Sequence, residues 1–155
     1  MDNELKGLLS LNGTRTLLTG AFGGLGFGIL NLFLENGQHV TATSRRNHEK
    51  FDANKAVEIV KVDLNDEEAV TSFAKNTEPF DNVVLCHGIS GLRPIPMLTP
   101  AYSREIFQTN FVSKTHLVSA LIKNKKISSP GRLVNVSSIS AHYGSKHVAI
   151  YSSSN

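Results

Sequence analysis

Apolar positions along the chain alternate between short continuous runs and stripes of helical spacing, the pattern of strands exchanging with helices. Leu17 and Leu18 sit in a short run over residues 13–19. Leu25, Ile29, Leu32 and Phe33 then recur at helical spacing over 24–35, and Asn36-Gly37 is a stop signal. A Val- and Thr-rich segment, 39–44, predicts a second strand, and 57–62 a third, ending in Asp63-Leu64. Residues 66–75 predict a helix with acids in its first turn, and 81–86 a fourth strand. Thr99-Pro100 opens a helix reaching about residue 122, with proline harmless at its first position. Its buried stripe is expected to be Ile106, Phe107, Phe111, Leu117, Val118, Leu121 and Ile122. Lys123-Asn124-Lys125-Lys126 closes that helix, where cations suit the negative dipole end. Pro130-Gly131 turns the chain into a fifth strand over 132–136, while residues 1–12 form a lead-in with little signal. Strand, helix and parallel strand make a βαβ unit, so the expected fold is a single α/β domain over residues 1–155.

The segment between the first strand and first helix carries the candidate chemistry. Thr19-Gly20-Ala21-Phe22-Gly23-Gly24-Leu25-Gly26 is a glycine turn of the form T-G-x-x-x-G-x-G, without the strict G-x-G-x-x-G spacing. Glycines allow a ligand to approach the backbone closely. The helix start behind them offers free N–H groups and a positive dipole end, which suits a pyrophosphate. Two rivals are a ligand-free tight turn and a nucleotide-type methyltransferase loop read from Gly24-Leu25-Gly26-Phe27-Gly28. The end of the second strand bears on the choice. A ribose-binding acid is expected there for NAD, and an Arg for the extra phosphate of NADP. The residues are Ser44-Arg45-Arg46, which favour NADP over NAD and weaken the methyltransferase reading.

Composition narrows the class. With 40% hydrophobic and 19% charged residues the chain is ordinarily globular. A net charge of +3 is spread along the chain, which argues against nucleic acid as a partner. One cysteine, Cys86, supports neither a disulfide framework nor a metal cluster. No signal pattern is apparent, and no apolar run approaches the roughly 18 residues of a membrane span. A cytoplasmic location is expected.

Five features together resemble the short-chain dehydrogenase/reductase family: the glycine turn, Asp63, Asn110 within Thr109-Asn110-Phe111-Val112, Ser138, and Tyr151 thirteen positions after it. The resemblance spans Thr14 to Tyr151 and implies a doubly wound Rossmann-type parallel sheet in the order 3-2-1-4-5, incomplete at its C-terminal side. It implies an NAD(P)-dependent oxidoreductase acting on a small carbonyl or alcohol. Thr19, Gly20, Phe22, Gly24, Leu25, Gly26, Ser44, Arg45, Arg46, Asp63, Leu64 and Gly88 would hold the cofactor. Tyr151 would be general acid, Ser138 would polarise the carbonyl, and Asn110 would carry a water in a proton relay. Asp63 would bond adenine, and a helix N-cap is its alternative role.

Two positions depart from the family pattern. Cys86-His87-Gly88 stands where Asn-Asn-Ala-Gly is usual, and His87 reads as structural rather than as a base. The family's lysine, four residues past the tyrosine, is Asn155 here. Tyr143-Gly144-Ser145-Lys146 has the wrong spacing to replace the pair. With so little chain after it, Tyr151 is expected to lack a stable helix. The chain is therefore expected to be either a truncated NADP(H)-dependent enzyme, inactive by itself, or a non-catalytic remnant that binds a nucleotide or partner. Strand five, as an open edge, is expected to promote association or homo-oligomer formation.

Overall fold

The computed structural model describes residues 11–46, 48 and 56–155. The expected lead-in lies outside these up to residue 10. In chain order the elements are β1 (Arg15–Thr19), α1 (Gly24–Glu35), β2 (His39–Ser44), β3 (Val57–Lys61), α2 (Glu67–Asn76), β4 (Phe80–Leu85), α3 (Pro100–Phe107), a π-helical segment (Gln108–Val112), α4 (Ser113–Lys123), β5 (Ile127–Asn135) and α5 (Ala149–Ser153). The five strands are parallel and ordered β3-β2-β1-β4-β5.

Successive strand residues point to opposite faces, so each strand feeds two cores. Leu17, Val83 and Leu85 pack under α2 and α4 with Val70, Phe73, Leu117 and Leu121. Leu18, Val40, Ala42 and Val84 pack on the other face with Leu30 of α1. Burial on both faces explains why these strands read as continuous apolar runs. The layout puts the C-terminal ends of β1, β2, β4 and β5, and the N-terminus of α1, along one rim of the sheet. No described helix is long and apolar enough to cross a membrane.

Several boundaries and faces differ from expectation. In α1 Gly26 and Leu30 are buried and Ile29 and Phe33 of the expected stripe pack against the same core, while Leu25 and Leu32 are 61% and 56% exposed. Gly26 accounts for the difference: the helix presses its backbone against the turn there, which turns the adjacent Leu25 outward. Asn36 caps the helix and Gly37 follows at φ +71°, as the stop signal requires. The long helix after Thr99 is interrupted by the π-helical segment, and Phe111 and Ile122 are exposed rather than buried. Both line an open groove of 820 Å³ beside Leu133 of β5. β5 starts at Ile127, earlier than Pro130-Gly131 suggested, and runs through a cis Ser129–Pro130 bond and an irregular register opposite Phe80 and Asn82. Strands three and four end one residue short of the expected Val62 and Cys86.

Candidate nucleotide groove and active site

The glycine turn is held by contacts that tolerate no side chain. Gly20 has φ +69°, and a Cβ there would lie 2.8 Å from the backbone of His87. A Cβ on Gly26 would run into the carbonyl oxygen of Gly20. Gly24 is different, because a Cβ there meets nothing within 4 Å. The fold does not need glycine at 24, yet the position faces the groove. No side chain caps the start of α1 and no acid lies in its first turn, so its positive end is left for a ligand.

Two adjoining cavities follow the rim and share Gly20, Gly23 and the Cys86–Ile89 stretch. The outer one, 370 Å³, is lined by Phe22, Ser44, Arg45, Asp63, Leu64 and Gly88 among others. The inner one, 330 Å³, brings Gly24, Leu25 and Gly26 together with Asn110, Tyr151 and Asn155. Three of the expected residues do not line either cavity. Thr19 is fully buried, and its hydroxyl accepts the Cys86 N–H at 3.1 Å, so its side chain ties β1 to β4 instead. Arg46 is exposed beside the groove, its own N–H bonded to Ser44 Oγ at 3.0 Å. Ser138 caps the turn Ile139–Ala141, accepting Ser140 N–H at 3.1 Å, and its neighbour Ser137 reaches the inner cavity.

Asp63 accepts the Asn65 N–H, but the cap of α2 is Asp66, which accepts from Glu68 and Ala69 at 3.0 Å each. The cap alternative for Asp63 is thereby corrected. His48 was not foreseen: its ring stacks on Phe22 with centroids 3.5 Å apart, and its Nε2 lies 2.9 Å from Ser44 Oγ. Nothing in the local sequence pattern signals that stack.

Asn110 lies in the π-helical segment, the kind of local insertion that re-aims a side chain at functional sites. Its Oδ1 accepts Ile89 N–H at 2.8 Å, and its Nδ2 donates to Ile89 O and Ser154 Oγ. Both amide protons are thus spent joining the loop after Gly88 to Ser154, the residue that caps α5. Tyr151 sits in α5, so the expectation that no helix would form there is corrected. Tertiary bonds replace length as the support: Ser154 is held by Asn110, and Asn155 Nδ2 closes the turn onto Tyr151 O at 2.7 Å.

His87 is structural, as the sequence suggests. Ser113 Oγ donates to Thr109 O at 2.8 Å, so it must accept from His87 Nε2–H at 2.8 Å. Nδ1 is then the acceptor for Thr19 Oγ1 at 2.6 Å. Burial, helped by the nearby Lys114 charge, lowers its pKa to about 4. The sign follows by linkage. The unfolded chain binds this proton below about pH 6.5 and the folded chain only below about pH 4, so stability falls as pH drops through that window. We expect a loss of about 2 kcal/mol between pH 7 and pH 5 from this residue. Urea denaturation of the chain and of His87→Asn at both pH values checks it, with the variant showing the smaller pH difference.

Residues 14–155 match the short chain dehydrogenase family. D-erythrulose reductase of Gallus gallus and carbonyl reductase [NADPH] 2 of Sus scrofa are each 29% identical to the chain, covering 94% of it. The chain spans 61% of each of these relatives. Among solved structures, a short chain dehydrogenase from Burkholderia cenocepacia in complex with NADP is 26% identical with a TM-score of 0.83. That match covers 94% of this chain and 62% of the other. A putative NAD(P) dependent gluconate 5-dehydrogenase from Beutenbergia cavernae with bound NADP is 27% identical with a TM-score of 0.82, covering 94% and 62%. By sequence match and by fold, the chain belongs to the short-chain dehydrogenase family.

Proposed function

We propose that this chain is the nucleotide-binding part of an NADP(H)-dependent oxidoreductase that interconverts small carbonyls and alcohols. The observation that carries the reading is Gly24, a glycine the fold does not require, facing a groove at an uncapped helix start. The N-terminus of α1 would hold the pyrophosphate, Asp63 and Leu64 the adenine side, and Arg45 with Ser44 the 2′-phosphate. The relative named as an NADPH reductase and the NADP-bound structures support that cofactor. The nicotinamide would supply the hydride. Tyr151, in the inner cavity, would move the proton to or from the substrate oxygen. A single free thiol, Cys86, suits a reducing cytoplasm.

A second reading, a non-catalytic nucleotide- or partner-binding protein, is favoured by three commitments. The Asn155 side chain carries no charge and bonds to Tyr151 O, Asn110 has no free amide proton, and Ser138 caps a turn outside the lining of the inner cavity. Nucleotide binding belongs to the first reading and to the nucleotide-binding form of the second. One charge-assisted contact to a 2′-phosphate is worth roughly 1.5–3 kcal/mol, so NADPH should bind about ten- to a hundredfold tighter than NADH. Fluorescence titration of both tests it; equal affinities or tighter NADH would contradict the assignment.

β5 is an edge of the described sheet, and Leu133 and Val134, on its opposite faces, are 50% and 52% exposed. An apolar edge open on both faces invites pairing. We expect the chain to self-associate in light scattering over a concentration series, and a stable monomer at all concentrations would refute this.

A further inference from the structure

The structure assigns to Lys114 a ligand-binding role at the Tyr151 end of the groove: we propose that its ammonium contacts the sugar of the second, nicotinamide-bearing nucleotide. This rests on the nucleotide reading above. Lys114 stands one turn beyond Asn110 on α4 and is only 6% exposed. Lysine is almost never buried to this degree without a partner. Its Nζ donates to Val136 O at 3.0 Å, whereas an ammonium has three protons to place.

The surroundings offer no acidic side chain. Lys114 lines both the inner cavity and the 820 Å³ groove, and no Asp or Glu lines either. His87 is neutral above about pH 4, and the Cys86 thiol is pushed up by burial. Burial in turn lowers the lysine's own pKa, against a raising influence from Cys86. A buried cation left short of acceptors is costly, and such groups concentrate where a ligand completes them. Asn155 spends its amide on Tyr151 O and Ser154 Oγ, so Lys114 is the cation lining the inner cavity among the described residues. The ligand atoms that fit are hydroxyl oxygens, of which a nucleotide sugar presents two on one edge.

The test separates the two halves of the dinucleotide. NADPH and 2′,5′-ADP are titrated against the unmodified chain, Lys114→Met and Lys114→Arg. We expect Lys114→Met to weaken NADPH about tenfold or more and to leave 2′,5′-ADP within about twofold, with Lys114→Arg recovering part of the loss. NADPH binding unchanged by Lys114→Met, or both ligands weakened in parallel, overturns the assignment. If Lys114→Met does not fold, the unmodified chain decides with ¹³C-labelled lysine, the resonance being assigned from Lys114→Arg. The Lys114 ε-carbon should shift with NADPH and stay in place with 2′,5′-ADP; a signal that NADPH leaves unmoved overturns it. Failure of both ligands to bind the unmodified chain would remove the nucleotide reading itself, and this inference with it.

Discussion

Gly26→Ala is expected to cost the chain about 3 kcal/mol or more, whereas Gly24→Ala should leave it folded and lose the nucleotide. The two glycines lie two residues apart in the same turn, and their neighbours decide the difference. At 26 a methyl group would meet the Gly20 carbonyl oxygen, and neither backbone can yield without dismantling the turn that Gly20 already holds at φ +69°. At 24 the methyl meets no protein atom. Alanine should even help the helix slightly there, by several tenths of a kcal/mol. The methyl would instead occupy the space in which a phosphate must approach the N–H groups of α1, so NADPH affinity should fall more than tenfold. Thermal unfolding and NADPH titration of both variants check this. A folded Gly24→Ala that binds NADPH like the unmodified chain would leave the glycine turn without a ligand.

The unmodified chain is expected not to oxidise NADPH with any of a panel of ketones and quinones, even where it binds the cofactor. A tyrosine hydroxyl has an ordinary pKa of about 10, and proton transfer near neutral pH needs a neighbouring positive charge to favour its ionised form. Asn155 offers an amide, already bonded to Tyr151 O. Lys114 is bonded to Val136 O and not to the phenol. Losing the proton-transfer contribution alone removes about 10²–10⁴ in rate. Ser138 Oγ accepts Ser140 N–H in a turn outside the lining of the inner cavity, so its hydroxyl is not placed beside Tyr151 as the polarising donor expected at the carbonyl. Orientation counts as much as charge, since α5 is a single turn held by the Asn110–Ser154 bond. Asn155→Lys by itself should therefore recover little. Absorbance of NADPH gives the readout; steady turnover by the unmodified chain, abolished by Tyr151→Phe, would disprove the expectation.

The sheet was legible in the sequence because its inner strands are buried on both faces, leaving short apolar runs that periodicity can find. Leu17-Leu18 and Val83-Val84 each feed both cores, and the order β3-β2-β1-β4-β5 follows once the family resemblance is recognised. The helix faces were less legible. In α1 one inward residue is Gly26, which carries no hydrophobic signal, so Leu25 and Leu32 mislead. After α3 the π-helical segment breaks the regular period, and no residue between Gln108 and Val112 announces it. Asn110 was visible as a polar residue in an apolar stripe, and Lys114 offered the same signal one turn later. The Phe22–His48 stack depends on a chain path after β2 that no local rule fixes. Ser138 and Tyr151 have the family spacing, yet spacing does not reveal that one hydroxyl caps a turn while the other residue reaches the inner cavity.

The central claim, that the rim holds an NADP-type nucleotide on the α1 start, is most directly tested by following backbone amide resonances while NADPH is added. The account predicts that Gly23, Gly24 and Leu25 shift together with Ser44, Arg45 and Asp63, and that Phe111, Ile122 and Leu133 in the open 820 Å³ groove stay in place. Shifts confined to that open groove, or a glycine turn that NADPH does not disturb, would contradict it.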